Sequence, residues 1–140
     1  MRLGNPARLL LNHACAAPPS DSGPYTEHRF DCNFISKAVE AHLTLETTIG
    51  PFVSFRDELA QIDRAVTGRA ELKTSGADLT LQAEIDKLGH IKWSGVLRHP
   101  GPIPEERLEF WIEDDQTSLS RIVEELTAII ADTRVEIPHL

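Results

Sequence analysis

Cysteine, methionine and aromatic residues are scarce in this chain: two Cys, one Met, one Tyr, and 6% aromatics overall in 140 residues. Cys15 and Cys32 cannot build a disulfide framework for a chain of this length, so two free thiols in a reducing cytoplasm are expected. Cations are also few. Fourteen Lys and Arg against 22 Asp and Glu leave a formal charge of −8. That balance excludes the basic stripe of a nucleic-acid-binding surface and disfavours anionic membranes. It suits a basic protein partner through long-range steering.

No apolar run approaches the length of a membrane span. Leu9-Leu10-Leu11 is interrupted on both sides by Arg8, Asn12 and His13. A secretory signal needs an apolar stretch of about 7–15 residues, so no cleaved signal is expected. Gly-x-Gly-x-x-Gly, P-loop and Gly-x-Ser-x-Gly patterns are missing, which removes support for nucleotide cradling and for a serine nucleophile. No cofactor and no enzymatic activity are expected.

What is present is patterned hydrophobicity. Leu108, Phe110 and Ile112 alternate with Glu109, Trp111 and Glu113, the signature of a half-buried strand. After Asp114-Asp115-Gln116-Thr117-Ser118 the period changes. Leu119, Ile122, Val123, Leu126, Ile129 and Ile130 then fall on one helical face. Upstream, Val39, Ala41, Leu43 and Leu45 alternate as a strand, and Phe55, Leu59, Ile62 and Val66 follow helical spacing. Ser54 stands as the expected N-cap of that first helix and Gly68 as its C-terminal glycine. From Arg69 the period is two again, through turns at Ser75–Asp78 and Asp86–Gly89, which means successive antiparallel hairpins.

These elements predict one α+β domain over residues 1–140: an antiparallel meander sheet of about five or six strands with two helices packed on one face. The expected boundaries are extended segments over 7–47 with a proline-rich loop at 17–24, and a helix over 54–67. The meander follows over 69–113, then a helix over 116–131 and a tail over 132–140.

Candidate chemistry is thin. His13, Cys15, His28 and Cys32 echo zinc-finger spacing, but the first pair is one residue too tight and a proline-rich stretch separates the pairs, so no metal is expected. Asp114-Asp115 reads as helix capping rather than a catalytic dyad. His42 and His90 fall on polar strand faces near Glu40 or Glu84, where cross-strand contacts are the ordinary outcome. The outer face of the meander is the most informative surface. Trp111 and Val96 lie there among Arg69, Glu71, Lys73, Gln82, Glu84, Lys92 and Glu113. An aromatic among charges is an interface anchor in one reading and a lid over aliphatic stems in the other. Trp111, Val96, Lys92, Glu113 and Glu84 are therefore the candidate partner-binding residues.

Laid end to end, the chain resembles the WapI family of small bacterial proteins, which includes immunity partners of wall-associated polymorphic toxins. The resemblance rests on Asp31-Cys32-Asn33-Phe34-Ile35, Glu58-Leu59, Gly68-Arg69-Ala70-Glu71-Leu72, and Gly89 followed by His90 to Leu97. Its most specific part is Leu108-Glu109-Phe110 running into Asp115-Gln116-Thr117-Ser118-Leu119. Phe34 stands where a tryptophan is more typical, Ser118 where a tyrosine is, and the first thirty residues match poorly. The resemblance implies a non-enzymatic, cytoplasmic protein that binds and neutralises a toxin, and the acidic charge of the chain suits a basic one. A self-associating scaffold, dimeric through a sheet edge, is the alternative.

Overall fold

Alternating apolar residues build two sheets rather than the single one expected. The computed structural model describes residues 1–4, 7–16, 26–99 and 105–135. Strands β1 (Arg2–Leu3), β2 (Arg8–Ala16), β3 (His28–Ile35) and β4 (Glu40–Thr47) form one antiparallel sheet in that order. Strands β5 (Gly68–Lys73), β6 (Leu79–Ile85), β7 (His90–His99) and β8 (Glu106–Asp115) form the second, also in chain order. The successive hairpins expected over 69–113 are therefore present. Their pairing does not extend to the N-terminal strands. The expected loops over 17–24 and 100–104 lie outside the described residues.

Helix α1 (Gly50–Ala65) accounts for the separation. It follows β4 directly and enters the space between the inner faces of the two sheets. Phe52 stacks on Phe30 of β3 with centroids 4.7 Å apart, and Phe55 meets Trp93 of β7 edge-on at 6.3 Å. All four side chains are fully buried. Each sheet has one apolar face, and both faces are satisfied by the same helix and by each other. Helix α2 (Leu119–Val135) packs against α1 and β2 and buries Leu119, Ile122, Leu126, Ile129 and Ile130. The two helices do not lie side by side on one face of a single sheet.

The helix ends also differ from expectation. Gly50 and Pro51 open α1, so the helix starts four residues before Ser54, and its N-cap Ile49 supplies no side-chain bond. Proline has no N–H to lose in a first turn and its fixed φ favours the helix, which explains the earlier start. At the other end the left-handed residue is Val66 (φ 56°), whose N–H donates to the Ile62 carbonyl at 2.8 Å. Gly68 already belongs to β5, and a Cβ there would lie 2.8 Å from Ile62 Cγ2. The expected tail from residue 132 is helical to Val135, with Thr133 buried; residues 136–140 lie outside the described residues.

Two edge strands are covered by glutamates from the helices. Glu58 of α1 accepts the backbone N–H of Glu71 on β5 at 3.2 Å, and Glu125 of α2 accepts that of Arg2 on β1 at 3.2 Å. An edge N–H taken by a carboxylate cannot pair with another strand.

Candidate partner-binding face

Strand register decides which side chains share the outer face of the β5–β8 sheet. Successive residues point to opposite sides, and the inner set is Ala83, Trp93 and Ile112 or Leu81, Gly95 and Phe110. The outer set falls into three rows. Arg69, Glu84, Lys92 and Glu113 form the first; Glu71, Gln82, Ser94 and Trp111 the second; Lys73, Thr80, Val96 and Glu109 the third.

All five sequence-predicted residues therefore lie on one face. Trp111 is 65% exposed, and Val96 is half-buried between Thr80 and Glu109. The first row alternates in sign across four strands, and Arg69 pairs with Glu84 at 3.4 Å. Opposite charges directly across a sheet are mildly stabilising, and Arg69–Glu84 is the pair of this row that closes to ion-pair distance among the described residues. The second row holds Ser94 between Gln82 and Trp111. Its short side chain leaves a shallow trough of about 270 Å³, lined by Trp111, Glu71, Glu109, Thr80, Gln82 and Val96 among others. A neighbouring hollow of about 470 Å³ is lined by Glu84, Asp86, Lys92, Glu113, Asp114 and His90.

Glu71 and Glu109 share this face although they are not among the five, while Asp86 and Asp114 line the hollow at its rim, Asp114 from the other side of β8 opposite Ile91. Strand parity already puts Glu71 on the side of Trp111, and the same parity applies to Glu109. Asp86 required knowledge of the turn. Its carboxylate accepts the backbone N–H of Leu88 at 2.8 Å and of His90 at 3.0 Å, which holds it below its ordinary range.

Of the four residues with zinc-finger-like spacing, the side chain of Cys15 lies outside the described residues, and the two histidines meet each other. His13 Nε2 lies 3.1 Å from His28 Nδ1, and His13 Nδ1 lies 2.6 Å from Asp132 on α2. An ionised carboxylate only accepts, so Nδ1 of His13 is the donor to Asp132. The three side chains tie α2 to β2 and β3. Cys32 is buried two residues beyond Phe30 on β3, and burial pushes its thiol up to about 12, which leaves it inert. No group of three or more His, Cys, Asp or Glu suited to a metal ion occurs among the described residues. His42 bonds Asn33 at 2.6 Å with Glu40 at 3.6 Å, and His90 lies 3.4 Å from Asp86. Asp115 accepts from the backbone N–H of Thr117 at 2.9 Å, and Asp114 from that of Asp115 at 2.9 Å; both are local capping contacts. Among the described residues no helix is long and apolar enough to cross a membrane.

Against known families, residues 26–134 match the model described as the immunity protein WapI-like family. A comparison with curated proteins gives no match.

Proposed function

The chain belongs to the immunity protein WapI-like family, and from that membership we propose that it is an immunity-type protein that binds a cognate bacterial toxin in the cytoplasm. Neutralisation on this reading is by occlusion, without catalysis. We place the interface on the outer face of the β5–β8 sheet. The observation that carries this placement is Trp111, a large aromatic left 65% exposed in the middle of a charged sheet face. Such side chains dominate binding energy when a partner covers them, because they bury much area at little entropic cost. The net charge of −8 favours a basic toxin and speeds its encounter.

Self-association through a sheet edge has less behind it. The β1 and β5 edges give N–H groups to Glu125 and Glu58. The β8 edge carries Glu106, Glu109, Glu113, Asp114 and Asp115, which repel a second copy.

The test is co-expression with a toxin domain encoded in the neighbouring genes. Protection of growth, together with a complex that co-purifies, is the expected result. A soluble wild-type chain that neither protects nor binds any such domain overturns the proposal.

A further inference from the structure

We infer that the trough beside Trp111 is an anchor for an arginine side chain, presented by a basic segment of the partner that crosses the strands. This deepens the immunity reading and rests on it for the partner's identity as a protein. The trough has an aromatic wall at one end and a carboxylate at each end, Glu109 beside Trp111 and Glu71 on the far strand. Its lining holds Glu71 and Glu109 and no lysine or arginine. Across the four strands, three spacings of about 4.8 Å put Glu71 roughly 14 Å from Trp111. The intervening floor is Ser94 and Gln82, both shorter than the indole and able to donate and accept hydrogen bonds.

Arginine fits this shape better than any other side chain. Its planar guanidinium stacks on an indole face and simultaneously offers N–H groups to a carboxylate in the same plane. Glu109 stands two residues from Trp111 on the same face of β8. Arg107 holds its Oε1 at 3.0 Å and so fixes the carboxylate, while Oε2 accepts no hydrogen bond among the described residues. At the far end the carboxylate of Glu71 accepts none among the described residues either, because only its backbone N–H is engaged, by Glu58. A second cation on the incoming segment has its counter-charge there. Beyond the trough, the neighbouring hollow is lined by Glu84, Asp86, Glu113 and Asp114 with Lys92, and Arg69 pairs with Glu84 at its rim, so carboxylates outnumber cations there by four to two. Continuation of a basic segment in that direction therefore meets the same sign of field. A nucleic acid is repelled by this surface, and a second copy brings acidic residues to it.

The probe is a five-residue peptide with a central arginine flanked by glycines, its termini blocked. It is titrated into the full chain while the indole N–H resonances of both tryptophans are followed. Trp93 is fully buried and serves as the internal reference. The expected result is a saturable shift of the Trp111 resonance with Trp93 unmoved, several-fold weaker with lysine in place of arginine. With glutamate at that position no shift is expected. Glu71→Gln with Glu109→Gln weakens the arginine peptide about tenfold, equivalent to about 1.4 kcal/mol. A Trp111 resonance indifferent to the arginine peptide, or one moved equally by the glutamate peptide, overturns the inference. So does a dimer by light scattering that dissociates on Trp111→Ala, which would make a second copy the occupant. The two readings fail separately. Growth protection that persists in Trp111→Ala removes the anchor and leaves the immunity role, whereas a wild-type chain that takes the arginine peptide but protects against no toxin does the reverse.

Discussion

Phe34 of β3 and Phe110 of β8 stack with ring centroids 4.8 Å apart and planes inclined by 25°, and so join the inner faces of the two sheets directly. Gly95 of β7 makes room for this pair. A Cβ at Gly95 would lie 2.4 Å from Phe110 Cζ. Gly95→Ala therefore forces the ring off Phe34, and overpacking of this kind costs about 1–3 kcal/mol. Phe34→Ala, which empties the other half of the stack, is expected to cost about 3–5 kcal/mol. Because both changes act through Phe110, the double variant should lose less than the sum. Urea unfolding of the two single variants and the double checks this; strictly additive losses would show that the ring pair does not couple the sheets.

Val66 offers the opposite sign. A β-branched residue in the left-handed region is strained, at roughly 1–2 kcal/mol, and here the side chain is 39% exposed, so little packing offsets it. Val66→Gly is expected to raise stability by about 1 kcal/mol, since glycine is the ordinary residue at this position of a helix end. A lower midpoint in thermal unfolding would mean that the valine contacts outweigh the backbone strain.

Sequence spacing offers both Asp115 and Ser54 as caps, and only one acts as one. Asp115 accepts the backbone N–H of Thr117 and also its hydroxyl, at the entry to the short turn Gln116–Ser118 that leads into α2. Ser54 is exposed inside α1, and the N-cap Ile49 lies five residues before it. Asp115→Ala should lower the thermal midpoint by a few degrees, and Ser54→Ala should leave it in place. The reverse ranking would put the start of α1 at Ser54 after all.

The parts of this fold that could be read from the residues are those set by neighbours in sequence. Alternation along 69–113 fixes which side of each strand is apolar, and short turns fix who pairs with whom, so the outward position of Trp111 follows from the residues alone. Alternation does not say which apolar face meets which. The split into two sheets depends on contacts such as Phe30 with Phe52 and Phe34 with Phe110, between residues far apart in the chain and similar in chemistry to any other core pair. The tie between His13 and Asp132 spans 119 residues and had no local signal. The trough needed the row order as well as parity, because Ser94 opens it only by standing between Gln82 and Trp111.

Two aspartates set an acid limit on stability. Asp86 is held below its ordinary value of 3.8 chiefly by the backbone N–H of His90, then by that of Leu88. Asp115 is held below 3.8 by the hydroxyl and then the backbone N–H of Thr117. In the unfolded chain both return to the ordinary value, so near that pH the unfolded state binds more protons than the folded one. Their contribution is therefore complete well above 3.8, begins to decline about a unit above it, and is lost as the pH falls through the folded values. Urea midpoints should fall between about pH 5 and pH 3. The decline should be shallower in an Asp86→Asn, Asp115→Asn double variant, which keeps one acceptor oxygen at each site and cannot titrate. Between about pH 5 and pH 7 the gap between variant and wild type should stay constant. Parallel curves across the acid range would show that the two carboxylates are not preferentially ionised in the folded chain.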